Sequence, residues 1–250
     1  MLLFDSHAHL DSISYPKSVD ISNVIAVAVD LKTSLYFSYY SSLNQHLKVY
    51  PFVGLHPWFI ERNFESDLNS LRQLIIESGV SIYGIGEIGL DYSRNANNKI
   101  EQQACFESQV AMAVEFSLPV SVHCVKAFND LYSILRPSRV KGVIHSFPLR
   151  QHEAKRFVSL GLKLGLNPRI LTSNLTKRHA FYRQFPLSVW VVESDFPNLN
   201  HHNVCNDPRL GMLALIKDLA LAYRISDEEV AVQIYNTTQQ LLMSHRNEFK

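Results

Sequence analysis

Cysteine is scarce in this chain of 250 residues: Cys105, Cys124 and Cys205 are an odd number, widely spaced, with no C-x-x-C pair. That excludes a disulfide framework and a thiolate zinc site, and it fits a reducing compartment. Long apolar runs are missing too. The longest clean one, residues 24–29, is about a third of the roughly 18 residues that a membrane span needs. Neither sign of charge dominates: 24 Lys and Arg against 23 Asp and Glu leave a formal charge of +1. A broad basic belt for nucleic acid or for an anionic membrane is therefore excluded, and any polyanion must be gripped locally. The opening residues, Met1-Leu2-Leu3-Phe4-Asp5, offer neither a charged leader nor an apolar stretch of signal-peptide length. The expectation is a cytoplasmic protein, soluble, with a monomer as its expected state.

Hydrophobic residues make up 46% of the chain and charged residues 19%, enough for one large core. Short β-branched runs recur at 2–5, 24–29, 49–54, 82–87, 120–123, 142–145, 162–166 and 188–193. Amphipathic segments lie between them at 33–46, 66–78, 100–116, 128–135, 151–159 and 174–185, followed by one at 209–223. A final helix opens with Ser226-Asp227-Glu228-Glu229, an S-x-x-E capping box. The runs read as continuously apolar rather than alternating, as in a parallel sheet buried on both faces. Strand–helix alternation on this scale predicts an α/β fold, a single (β/α)8 TIM barrel over residues 1–250 with an additional C-terminal helix.

In such a barrel the chemistry sits where strands end and the following loops begin. The first run ends in Asp5-Ser6-His7-Ala8-His9, which places His7 and His9 on one side, about 7 Å apart along a strand. An H-x-H pair so placed can hold one ion, or be two solvated loop histidines. The fourth run gives Gly84-Ile85-Gly86-Glu87-Ile88-Gly89. This matches G-x-G-x-x-G, but no helix opens at the glycines, and Glu87 would put a carboxylate inside the phosphate cradle. A carboxylate ending an apolar strand is costly unless paired or metal-bound. His123 and His145 end the fifth and sixth runs, and either alone could be a hydrogen-bonded core histidine. Asp195 follows the eighth run, with Glu193 of the same parity lying deeper, in the barrel interior. Together, four histidines and two carboxylates on one rim suit divalent ions at two adjacent positions, with one carboxylate able to bridge them.

These residues fall in motifs that run nearly end to end: Asp5-Ser6-His7-Ala8-His9-Leu10-Asp11, Gly54-Leu55-His56-Pro57, Gly86 to Tyr92, Leu118-Pro119 to His123, His145-Ser146-Phe147, Glu193 to Pro197, Asn206-Asp207-Pro208 and Tyr235-Asn236-Thr237. The sequence resembles the TatD-type metal-dependent deoxyribonucleases of the amidohydrolase-like TIM-barrel superfamily. The resemblance implies two divalent ions (zinc, magnesium or manganese): His7, His9 and Asp195 on one, His123 and His145 on the other, and Glu87 bridging. It also implies that Asp195 accepts the proton of the attacking water, and that Glu87 stands where the broader superfamily often has a modified lysine.

Three departures concern the substrate. Val125 and Lys126 replace the family's arginine and acid after the fifth-strand histidine, Pro148-Leu149 replaces a small-Gly pattern, and His201-His202-Asn203-Val204-Cys205 replaces a basic loop. Lys126, Arg169, His201 or His202 are the candidates to replace the lost cations. His56 is a candidate phosphate contact or a histidine stabilising the turn at Pro57, and Asp91 and Tyr92 shape the pocket or brace Glu87. The implied activity is metal-dependent hydrolysis of a phosphodiester at a DNA end, of the 3′–5′ exonuclease type. The alternatives are hydrolysis of a small phosphoester, lactone or cyclic amide, and a metal-binding partner protein without turnover.

Overall fold

A computed structural model describes residues 2–10, 21–40, 47–60, 63–78, 81–93, 98–198 and 207–243. Eight parallel strands follow one another around a single sheet in chain order. They are β1 (Leu3–Ala8), β2 (Ile21–Val27), β3 (Lys48–Val53), β4 (Gly84–Asp91), β5 (Val120–Val125), β6 (Gly142–Ile144), β7 (Lys163–Leu166) and β8 (Trp190–Val192). The helices are α1 (Leu31–Tyr40), α2 (Phe64–Ser78), α3 (Lys99–Glu115), α4 (Phe128–Ser138), α5 (Gln151–Ser159), α6 (Leu175–Tyr182), α7 (Pro208–Tyr223) and α8 (Asp227–Met243). The end of β8 returns to β1: Asp195 N–H donates to the His7 carbonyl at 3.0 Å, and His9 N–H to that of Phe196 at 2.6 Å. This is the TIM barrel expected from the sequence, with α8 as the additional C-terminal helix.

Strand side chains alternate between two environments, as their period of two requires. Val24, Ala26, Val122, Ile144, Leu164 and Trp190 belong to the large apolar layer under the helices. Their neighbours Ile25, Val27, Tyr50 and Phe52 turn inward and cluster with Phe4 and with Leu242 of α8. Val143 and Val191 do the same with Leu241. The tail of α8 therefore fills the N-terminal end of the barrel. Its start is fixed by the expected box: Glu229 N–H donates to Ser226 Oγ at 3.2 Å, and Ser226 N–H to Glu229 Oε2 at 2.9 Å.

Three strands run beyond their expected ends. β1 continues to Ala8, β4 to Asp91 and β5 to Val125, so His7 lies on its strand rather than past it, and Glu87 and His123 lie within theirs rather than at the ends. Polar residues there read as loop in sequence, yet the backbone ladder carries on while their side chains face one another inside. Among the described residues, no helix is long and apolar enough to cross a membrane.

Candidate metal centre

The C-terminal ends of the strands converge on the carboxylate of Glu87, which is 3% exposed. Its Oε2 faces β1: His7 Nε2 and His9 Nε2 each lie 3.5 Å away. Its Oε1 faces the other side, at 2.9 Å from His123 Nδ1, 3.2 Å from His145 Nε2 and 3.6 Å from His56 Nε2. Asp195 closes the ring, with Oδ1 3.5 Å from His9 Nε2. Asp195 takes a left-handed backbone conformation (φ 57°), as does Ser146 (φ 48°) just after His145. Such conformations cost free energy and persist where surroundings hold them, commonly at functional sites.

Partners behind the ring decide which nitrogens are bare. The His9 Nδ1 lies 3.2 Å from the Val27 carbonyl, which can only accept, so its proton sits on Nδ1 and Nε2 presents a lone pair. His145 Nδ1 lies 3.2 Å from Glu193 Oε1, so its Nε2 is the nitrogen that faces Glu87. His7 Nδ1 contacts Ser121 Oγ at 3.0 Å, while His7 Nε2 is buried with no hydrogen-bond partner among the described residues. A carboxylate or backbone carbonyl behind a histidine is the usual support of a metal-binding imidazole. The 3.5 Å gaps are long for hydrogen bonds, but two ligand atoms around a tetrahedral ion stand roughly 3.4 Å apart. An orphaned buried nitrogen and that spacing both fit a divalent ion.

His56 is different. Its Nδ1 accepts from Trp58 N–H at 3.1 Å, so the proton of the neutral ring sits on Nε2 and points toward Glu87. That tautomer is a donor, not a ligand, although Nε2 lies within ligand distance of Glu87 and His123. The other compact groups among the described residues are His7 with His9 and Asp195, and His7 with His145 and Glu193. The first is the set that the resemblance implied for one ion.

The electrostatics follow from burial and crowding. Burial pushes His56 down to about 3 and also lowers His7, with His145 stacked on it at 4.1 Å adding to the effect. Burial opposes charge on His145 as well, but Glu87 and Glu193 on either side raise it to about 10. Burial raises Glu87 and Asp195, yet the imidazoles around them win and hold both carboxyls below their usual range. Both acids are therefore charged at neutral pH.

The structure brings His7, His9, Glu87, His123, His145 and Asp195 together and puts His56 beside them. Lys126 stands exposed just past β5 and Arg169 in the turn after β7, and His201 and His202 lie outside the described residues. Asp91 does not brace Glu87. Its Oδ2 lies 3.1 Å from His123 Nε2, and its Oδ1 accepts from Ser93 N–H at 2.8 Å. Three supporting residues have no role in the sequence reading. Ser121 backs His7, Gly165 leaves room for Glu193, and Asp5 clamps β1 to the end of β8. Asp5 Oδ1 accepts from Ser194 N–H at 2.9 Å and Oδ2 from Ser194 Oγ at 2.5 Å. The only signal for Asp5 was its place in the first motif.

Comparison with known proteins identifies the family. The chain matches the family described as TatD related DNase over residues 4–243. It is 30% identical over 237 residues to the metal-dependent hydrolase YcfH of Escherichia coli K12, covering 88% of this chain and 86% of that one. A metal-dependent hydrolase of Haemophilus influenzae is 30% identical over 220 residues, covering 80% of this chain and 82% of its own. The crystal structure of the TatD homologue YjjV from E. coli K12 superposes with a TM-score of 0.84 at 24% identity, covering 96% and 98% of the two chains. With the family matched along nearly the whole barrel and bare imidazoles gathered at its rim, the chain belongs to the TatD family of metal-dependent hydrolases.

Proposed function

We propose that the protein hydrolyses phosphodiesters at DNA ends, as a 3′–5′ exonuclease, with two divalent ions held by His7, His9, Glu87, His123, His145 and Asp195. The observation that carries this reading is Glu87, with one carboxylate oxygen toward His7 and His9 and the other toward His123 and His145. Two divalent ions, when bound, supply acidity for a water and polarisation of a phosphoryl oxygen. The Asp195 carboxylate, charged at neutral pH, takes the proton of the attacking water at Oδ1. His56 offers its Nε2–H to a phosphoryl oxygen, and Asp91 keeps His123 oriented through Nε2. Lys126 and Arg169 supply local positive charge for phosphates around a chain of formal charge +1. The four imidazoles suit zinc best and the carboxylates suit manganese and magnesium, so of the three ions magnesium is the weakest match to this donor set.

A second reading is favoured by Val125 and Pro148-Leu149, where the family's phosphate-gripping pattern is lost. It is hydrolysis of a small phosphoester, lactone or cyclic amide. The protein acts as a cytoplasmic monomer on this proposal, in keeping with the unpaired Cys105 and Cys124.

The test is hydrolysis of a single-stranded oligonucleotide with added magnesium, manganese or zinc, beside a panel of small phosphoesters, lactones and cyclic amides. Shortening from the 3′ end that EDTA abolishes is expected. Asp195→Asn should keep the fold and lower kcat by about 10²–10⁴-fold, the usual contribution of a positioned proton acceptor. Turnover of a small ester with no oligonucleotide shortening moves the assignment to the second reading.

A further inference from the structure

The loop after β3 turns through Pro57–Phe59, where His56 caps the turn by accepting from Trp58 N–H. Two large rings stay in solvent there: Trp58 is 44% exposed and Phe59 47%. Both belong to the mouth of the site. The Trp58 ring centre lies 4.9 Å from that of His56 and 6.0 Å from that of His123, and Phe59 lies 6.1 Å from His56. The indole is also held in place, because its Nε1–H donates to Asp91 Oδ2 at 2.7 Å, on the carboxylate that faces His123. A rigid aromatic surface kept in water beside a reactive centre marks a place where something apolar and flat is received.

The surroundings narrow the occupant. In an eight-stranded ring taken in chain order, β3 and β7 are four strands apart, so this lip stands across the mouth from Arg169. Lys126 follows β5, between the two along the ring. A ligand crossing the mouth thus meets positive charge on one side and π-faces on the other. The chain's small net charge leaves few contacts for phosphates, so flat apolar surface must contribute to capture. Base–aromatic stacking does so without demanding a sequence, because every base has a π-face.

We infer that Trp58 and Phe59 form a stacking subsite for the unpaired nucleobase beside the scissile phosphodiester. The inference rests on the nuclease reading above. It makes the enzyme select ends whose bases are unstacked, and it assigns the 3-10 turn after β3 to substrate recognition.

The two tryptophans of the chain separate cleanly, since Trp190 is fully buried and Trp58 alone meets solvent. The EDTA-treated protein is titrated with a pentathymidylate and with a five-unit abasic strand of equal phosphate charge. Saturable quenching by the thymidylate, absent with the abasic strand and absent in Trp58→Phe, is expected. With manganese, Trp58→Ala and Phe59→Ala should each raise KM for the thymidylate about tenfold, within the range of a lost stacking contact. Trp58→Phe keeps a π-face and loses only the donor to Asp91, so it should restore KM while kcat reports on Asp91. A merely structural indole would leave Trp58→Phe as impaired as Trp58→Ala. Phe59→Ala tests the lip without touching Asp91.

Equal KM for wild type, Trp58→Ala and Phe59→Ala, or no quenching by the thymidylate, overturns this inference and leaves the nuclease reading standing. Failure of the wild type to cleave any oligonucleotide overturns the nuclease reading and the nucleobase assignment with it. A KM for a 4-nitrophenyl ester that rises in Trp58→Ala, in a protein that cleaves no oligonucleotide, would assign the lip to an aryl ester instead.

Discussion

Substituting Gly165 by alanine should weaken both the fold and metal binding, through one displaced carboxylate. Gly165 sits on β7 directly beneath Glu193. A Cβ there would overlap Glu193 Oε2, approach its Cδ to 2.9 Å and come within 3.2 Å of the His145 Cα. The backbone has little room to retreat, because β7 is laddered to β6 on one side and to β8 on the other, where Gly165 pairs with Val191. The carboxylate must therefore move, and two bonds to Oε1 suffer: Ser146 N–H at 2.6 Å and His145 Nδ1 at 3.2 Å.

Each bond to a charged group is worth about 1.5–3 kcal/mol, and forcing a methyl into a packed interior costs about 1–3 kcal/mol. With both bonds weakened rather than broken, a loss of about 3 kcal/mol is expected, which for a chain of this length lowers Tm by roughly 6–12 °C. His145 also loses the group that orients it, so metal affinity should fall about 10–100-fold. Thermal melts and competition against a chromophoric chelator measure the two effects. Glu193→Gln keeps the volume and one acceptor but not the charge, and should lose affinity with a smaller fall in Tm. Wild-type metal affinity in Gly165→Ala, whatever its Tm, would refute the claim that Glu193 orients His145.

Two further outcomes follow from the buried charges. His145 is raised from 6.5 to about 10 in the metal-free fold, so its stabilising contribution is complete below pH 6.5 and is lost as pH rises through 10. The Tm of EDTA-treated protein should therefore fall between those values, and calorimetry in buffers of different ionisation heat should show metal uptake at pH 7 releasing a proton. In the outer helix layer, between α6 and α7, Arg178 Nε donates to Asp218 Oδ2 at 2.6 Å and Nη2 to Oδ1 at 2.8 Å, with His179 Nε2 also at Oδ1. Asp218→Ala strands a buried guanidinium and should cost about 3–5 kcal/mol in denaturant unfolding while leaving metal affinity at the wild-type level.

The residues proposed as ligands could be picked out from sequence because each needs only local information. His7 and His9 differ by two positions at the end of a strand, and Glu87, His123 and His145 each follow an apolar run. Their partners could not be read so, because those contacts depend on register between strands. Gly89 lies opposite His123, and Asp91 opposite Val125, in the β4–β5 ladder, and that offset carries Asp91 to His123 rather than to Glu87. Ser121 meets His7 from 114 residues away. Trp58 carried no periodic signal, since its importance lies in being exposed next to buried histidines. β1 outruns its expected end for the same reason: Ser6-His7 looks like loop until the interior supplies partners for each side chain.

The two ends of the barrel explain why one cluster can both strain and serve this protein. At the N-terminal end, Leu241 and Leu242 of α8 join the inward apolar layer, so water does not reach Glu87 from below. From above, the side chains of His9 and His123 are only 13% and 12% exposed. A carboxylate held between such walls is costly unless matched, and five imidazoles now match it. His7 presents a buried, unpartnered nitrogen to that carboxylate, so its attraction to it is incomplete, and a divalent cation would complete it. The apolar plug that makes the charge of Glu87 expensive in the metal-free protein is thus also what makes its attraction for a cation strong, because few waters screen it. Binding energy gained this way returns as stability by mass action, which couples the integrity of the barrel to the loading of its rim.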